Sequence, residues 1–478
     1  MSPLATHTAS RLAVWASPGE SIVRAPTACT VAETGPFSSR TVPRNWMTAA
    51  LLPIGKYEFR DVDYRQILIW AQALELAPME IVQRIEDSYS DNPFWGTPRL
   101  RVENGAILSL PWDFSLLPLT VFEWVEGLSI KHLVFRNAPA IPPRLSLQLP
   151  QLVLLSCVSL KLTALDLSNF PKLTHLYCGG NKLTELDISR VPALADLCCE
   201  GNQLSRLDLS NVPHLSRLVC ERNAITELNL SVVAELEELL CAENKIAELD
   251  LSIVPGLTVL RCEGNEVPAL DLSNVRALKQ LGCGYNHLTE LDLSNVPELD
   301  YLYCSYNRLT ELDLSNVPAL TELHCDGIQL TALDLSGVPC LTRLICSENF
   351  LAELDLSSVP HLDSLFCGGN QLTALELSNV TSLTLLSCYR NRLNRLDLSQ
   401  VAELNSLCCS ENQITELELS GIPKLKDLWC AANQLAQLDL RSLRTLEDLK
   451  CDEVVVLQRN PGQRIKIGHN SSLEDESV

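Results

Sequence analysis

Over most of its length this chain places leucine at fixed offsets in a 21-residue frame. In the stretch LTELDLSNVPELDYLYCSYNRLTELDLSNVPALTELHC, Leu288 to Cys325, Leu299, Leu302, Leu309, Leu312 and Leu314 are followed one frame later by the same pattern. The unit reads L-x-x-L-x-C-x-x-N-x-L-x-x-L-D-L-S-x-x-P-x. It runs from Cys157 to Cys451 with no insertion or deletion. Each unit has two similar halves. Within each half apolar residues alternate, as in Leu176-Tyr177-Cys178, and that period of two predicts short strands with every second residue inward. The Asn and Ser-x-x-Pro segments predict turns between them. A fixed period of this kind is the mark of a stack of coils. One coil is expected to carry an extended segment on each side. Coils spaced at ~4.8 Å would then extend about 15 coils over roughly 70 Å.

Cysteine marks the frame most clearly, at Cys157, Cys178, Cys199, Cys220, Cys241, Cys262, Cys283, Cys304, Cys325, Cys346, Cys367, Cys388, Cys409, Cys430 and Cys451. At this point the sequence resembles leucine-rich repeats of the 21-residue bacterial type, and its cysteine column is similar to the cysteine ladder of internalin J-like and IRREKO-type repeats. The segment Leu299 to Leu309 carries the most regular part of that motif, and the resemblance covers about 152–452. It implies a right-handed solenoid, mostly β within an α+β chain, with the sheet lining a concave face. It implies little about function, because one repeat fold serves many partners.

Two readings of the ladder compete. In the first, cysteine is a small, polarizable core residue. In the second, neighbouring sulfurs form disulfides or bind metal. Same-facing Cβ atoms ~4.8 Å apart exceed the ~3.8 Å that disulfides prefer, and no histidine adjoins the thiols to complete a zinc site. The core reading is therefore the expectation, with no metal and no cofactor. Asparagine follows the cysteine by three residues, from Asn181 to Asn433, and is expected to satisfy backbone groups in the bend. Ile328 interrupts that column, which predicts a local weak point. Acids form a third column, Asp166 to Asp439, with Asn229 as the neutral member and Glu376 and Glu418 as longer ones. Each is expected to bond the backbone two residues on, where serine usually stands. Calcium bridging is the alternative.

Binding specificity in a repeat array resides where the coils differ. The outward positions around each cysteine vary in chemistry, and one region is dense in tyrosine. Tyr285, Tyr301, Tyr303 and Tyr306, four of the nine tyrosines, fall in two adjacent coils, with His324 in the next. Phe366 and Trp429 occupy the same column further on. These seven are the candidate binding residues on the concave face, since tyrosine combines contact area with a polar tip. Glu200, Glu221, Glu238, Glu243, Glu263, Glu322 and Asp326 share these columns and favour a partner with basic groups; Arg217, Arg222 and Arg261 interrupt them.

The ends do not repeat. Residues 1–46 read as a disordered segment rich in Ser, Thr, Ala and Pro, with Met47 as an alternative start of the natural chain. Residues 47–151 read as a cap or small α+β domain. A helix is expected from Asp61, a second from about Pro78 to Tyr89, a hairpin at Asn104-Gly105 and a degenerate strand at 133–135, with Trp70, Trp95, Trp112 and Trp124 as a local core. The solenoid follows at 152–453, a C-terminal strand cap at 454–470 and a disordered tail at 471–478.

A net charge of −22 argues against sequence-independent binding to nucleic acid or anionic membrane. No run of 18 apolar residues predicts a membrane span, and no secretory leader is read. No catalytic motif is found. The outward thiols expected at Cys198 and Cys408 have no neighbouring base. The expectation is a monomeric, cytoplasmic, non-enzymatic scaffold that binds a partner protein. An exported effector or adhesin, leaving by a route without a classical signal peptide, and the regulatory subunit of an enzyme complex are the alternatives.

Overall fold

Leucine alternation along such short segments leaves little choice of geometry. In the coil of Leu299, the inward Leu302 and Cys304 are fully buried, and only Tyr301–Tyr303 is hydrogen-bonded strand. The computed structural model of the protein describes residues 52–87, 99–104, 106–113, 129–136, 144–145 and 149–468. Among them, three-residue strands of successive coils pair in parallel with a constant offset. Leu302 lies between Leu281 and Leu323, and every coil repeats that leucine-on-leucine register. The ladder cysteines from Cys178 to Cys430 are free thiols at most 1% exposed. Each amide in the ladder is used; that of Cys304, for example, donates to the carbonyl of His324 at 2.9 Å.

The second half of the unit is extended but is not a second ladder. Its strand pairings are confined to the ends, as in Gln437–Asp439 with Val456–Gln458. The reason is local. Its donors are taken by the turn itself, as when Val296 N–H reaches Leu293 O and Ser294 N–H reaches Asp292 Oδ1. The aspartates of the acid column thus bond the backbone two residues on, at 2.8–3.0 Å from Asp166 to Asp439, and Glu418 and Asn229 do the same for Ser420 and Ser231.

The asparagines tie coil to coil. Asn286 Nδ2 donates to the carbonyls of Cys283 in its own coil and Cys262 in the coil before, at 3.1 and 2.9 Å. Its Oδ1 accepts from Val267 N–H at 3.0 Å. Where Ile328 replaces asparagine, both carbonyls that it would have served keep a donor, from Asn307 and Asn349. Only the buried Leu309 amide, which would reach residue 328, finds no acceptor among the described residues. Asp326 also braces this bend, with Oδ2 accepting from Ser305 Oγ and Oδ1 from Ser347 N–H, each at 3.0 Å.

The N-terminal segment feeds the same sheet. Strands β1 (Leu52–Ile54) and β2 (Tyr57–Phe59) form a hairpin and lead into helices α1 (Asp61–Leu74) and α2 (Pro78–Asp87). Strand β3 (Arg101–Glu103) turns through Asn104, at φ 48°, into antiparallel β4 (Ala106–Asp113). β4 then pairs in parallel with β5 (His132–Arg136), and β5 with the first regular coil at Leu154–Ser156. Trp70 of α1 packs edge-on against Trp112 of β4 at 4.8 Å. The buried Asp63 carboxylate accepts from Ile107 N–H and pairs with Arg60, fixing α1 on β4. Trp95 and Trp124 lie outside the described residues. At the other end Lys466–Gly468 pairs with Asp448–Lys450, so the last two strands continue the coil instead of pairing with each other. No described pairing joins that strand back to β3. The sheet is therefore a line with two ends, and the antiparallel β3, carrying Arg101 and Glu103, closes one of them with charge.

Three outcomes follow from this arrangement. Mass-spectrometric mapping of thiol labelling in the native protein should find Cys340, which is exposed, modified and the ladder cysteines unmodified until denaturation. Asn286→Ala strands a buried amide and weakens two carbonyl contacts, so chemical denaturation should show a loss of about 2–3 kcal/mol. The carboxyls of Asp271, Asp313 and Asp334 are held below their ordinary value by the serine amide and then the serine hydroxyl. A folded-state pKa below the unfolded one gives stability that is present above about pH 4 and lost as pH falls through the folded value. The melting temperature should drop on acidification below about pH 4, and Asp313→Asn, which keeps an acceptor as Asn229 does, should make the drop shallower.

Candidate functional site

With Leu302 inward, Tyr301 and Tyr303 point out of the sheet. Tyr285 and Tyr306 arrive differently. Both occupy the second position after the ladder cysteine, where the bend forces a left-handed backbone, with φ of 53° and 56°. Other coils place Gly180, Gly201, Gly264, Gly327 and Gly369 there, or Ser159, Arg222, Glu243, Glu348, Arg390, Glu411 and Ala432 in the same left-handed conformation. A bulky side chain in that region costs about 1–2 kcal/mol. Here the rings regain part of that cost by stacking on each other, 4.6 Å apart at 20°. They remain 53% and 44% exposed, so the strain is spent on a surface feature.

Around this pair the aromatic groups interlock. Tyr303 meets Tyr285 edge-on at 6.4 Å and His324 at 5.6 Å, and Tyr301 lies 5.6 Å from His324. The Tyr303 ring lies over Gly284, where a Cβ would fall 2.8 Å from it. Burial pushes the hydroxyls of Tyr301, Tyr303 and Tyr306 upward, so they are neutral donors at ordinary pH. His324 Nε2 lies 2.7 Å from Glu322 Oε1, and that contact holds the Glu322 carboxyl below its usual range.

The basic residues of this face are mostly engaged. Arg217 bridges Asp196 and Glu238, Arg222 pairs with Glu243, Arg343 with Glu322 and Arg390 with Glu411. Glu200, Glu221, Glu263 and Asp326 form no salt bridge among the described residues, and burial raises Glu221, Glu263 and Asp326. Glu263 folds its carboxylate over Gly282, the strand neighbour of Tyr303, and its Oε2 is buried without a hydrogen-bond donor.

The structure thus brings together five of the seven candidate residues: Tyr285, Tyr301, Tyr303, Tyr306 and His324. Phe366 connects to them only through Arg343, whose guanidinium lies 5.4 Å from its ring. Trp429, six coils beyond Tyr303 and so ~29 Å along the sheet, is a separate feature capped by Lys450 Nζ at 3.9 Å. The thiol expectation is corrected at Cys198. It lies on the outward side of its strand but is fully buried between Tyr177 and Val219, which pushes its pKa up to about 12. Cys408 is half-buried. Two aromatic residues escaped the sequence reading. Tyr389 lies against Gly368 with its hydroxyl 3.3 Å from Glu348, and Phe350 is 53% exposed. A glycine one coil before the tyrosine was the available signal.

Among the described residues no group of three His, Cys, Asp or Glu side chains is placed to hold a metal, and no helix is long and apolar enough to cross a membrane.

No protein-family model and no curated protein matches the chain. Solved structures do. The functional domain of InlJ from Listeria monocytogenes, described as including a cysteine ladder, is 36% identical at a TM-score of 0.54 over 65% of this chain. The match spans 64% of that domain. YopM from Yersinia enterocolitica aligns over 85% of this chain and 94% of its own, at 24% identity and a TM-score of 0.60. A leucine-rich-repeat protein from Leptospira interrogans aligns over 67% and 96%, at 21% identity and a TM-score of 0.59. The last two likenesses concern the fold alone. The buried sulfur column of the solenoid is the counterpart of the ladder named in the InlJ domain, and the chain is a leucine-rich-repeat protein with a cysteine ladder.

Proposed function

We propose that the protein is a non-enzymatic scaffold that binds a partner protein on the outward face of its long parallel sheet, centred on Tyr285, Tyr301, Tyr303, Tyr306 and His324. One observation carries the reading. The chain holds two exposed tyrosines stacked on each other at left-handed bend positions, where other coils carry glycine or non-aromatic residues such as Arg222, Glu243 and Ala432. Clustered tyrosine is also the composition of binding hot spots. The interlocked rings are rigid before a partner arrives, which lowers the ordering cost of association.

Affinity capture from the source cell, followed by mass spectrometry, tests this. The double variant Tyr303→Ala plus Tyr306→Ala should lose partners that the wild type retains, with affinity reduced roughly 30-fold or more if the pair acts as a hot spot. Identical capture by both proteins, at equal stability, would show that the patch is not the docking surface.

A further inference from the structure

Three aromatic residues on this face already carry a cation. Arg261 lies 5.9 Å from the Tyr301 ring, Arg343 lies 5.4 Å from Phe366 and Lys450 lies 3.9 Å from Trp429. Tyr285, Tyr303 and Tyr306 form the exposed part of the cluster, and no cation of the described residues covers them. Directly beside them are two carboxylates. Glu263 rests on Gly282, adjacent to Tyr303 in the sheet, with a buried oxygen that receives no hydrogen bond. Asp326 stands one coil beyond Ser305, with which it shares two hydrogen bonds, and its charge reaches both Tyr303 and Tyr306. Arg217, Arg222 and Arg343 are paired with other acids, and Arg261, whose charge reaches Glu263, lies against the Tyr301 ring and leaves the three open rings uncovered. What remains is a set of open aromatic faces backed by carboxylate.

We propose that Tyr285, Tyr303 and Tyr306, with Glu263 and Asp326, receive an arginine or lysine side chain of the partner protein. This deepens the docking reading above and rests on it. An aromatic face attracts a cation through its quadrupole, and the attraction grows where water is excluded. A neighbouring carboxylate then completes a charge-assisted hydrogen bond. The upward shifts of Glu263 and Asp326 agree with this, because burial disfavours their ionised forms, Arg261 and His324 offset it only in part, and a bound guanidinium would favour the ionised forms further. The same residual charge repels phosphate, so an anionic ligand is not the match for this surface.

A short arginine peptide is the probe, with a glutamate peptide of equal length as control, titrated into the full chain by calorimetry. The arginine peptide should bind and the glutamate peptide should not. Glu263→Gln, which keeps the shape of the side chain, and Tyr285→Gly, which installs the residue that Gly264 and Gly327 supply in neighbouring coils, should each weaken binding by about tenfold. Tyr285→Gly should melt no lower than wild type, which separates loss of the site from loss of the fold. Asp292→Asn, in the acid column of the turns, should leave affinity within about twofold. Equal weakening by Asp292→Asn and Glu263→Gln would reduce the effect to diffuse electrostatics and overturn the proposal. So would absence of arginine-peptide binding. If that happened while Tyr303→Ala plus Tyr306→Ala still abolished partner capture, the docking face would stand and its cationic specificity would fall.

Discussion

Everything in this protein depends on coil registering on coil, and one carboxamide per turn fixes that register. A bare stack of leucine-lined loops would leave carbonyls and amides of each bend buried and unpaired. The asparagine side chain reaches two carbonyls and one amide at once, and two of those three groups belong to the preceding coil. Sliding one coil against the next would break all of them together, while hydrophobic contact alone would tolerate the slip. The free thiol beneath it fills the space that a strand of three residues leaves inside, and its burial pushes the pKa well above neutrality, as at Cys304 to about 12, so it stays an inert core atom.

With the interior monopolised by leucine, valine and cysteine, the outward positions are free to vary at little cost to the fold. That freedom explains how chemically different residues stand side by side along one sheet. It also explains why the strained tyrosines are informative. In most proteins a tyrosine can be where it is for packing. At Tyr285 and Tyr306 the bend geometry is shared with glycine and with non-aromatic residues such as Arg222, Glu243 and Ala432 in other coils, so the bend itself does not call for an aromatic ring. The acidic background acts on the same face. Once Arg217, Arg222 and Arg343 are paired, the carboxylates of Glu263 and Asp326 lie half-buried beside the tyrosines.

Much of this was legible in the sequence because the repeat states each interaction many times over. The roles expected for the asparagine and aspartate columns followed from donor and acceptor counts alone, and the structure realises both. What could not be read were effects that cross from one coil to another. Alternation placed the Cys198 thiol outward, and only packing shows Tyr177 and Val219 closing over it. The break at Ile328 predicted a local weak point, whereas neighbouring asparagines serve both carbonyls there and leave one amide. The two halves of the unit look alike as patterns, but only one builds a ladder, since the Asp-Ser turn consumes the donors of the other. The tyrosines were visible as a cluster. The left-handed backbone beneath two of them was not, because nothing in their own identity suggests it.

The register of the stack can be observed without reference to any binding partner. Anomalous scattering from sulfur in a crystal of the protein would locate each ladder cysteine directly. The account predicts a single row of separate sulfurs advancing by about one strand spacing, ~4.8 Å, per coil. Sulfurs joined in pairs near the ~2.05 Å of a disulfide, or scattered without a common row, would contradict it.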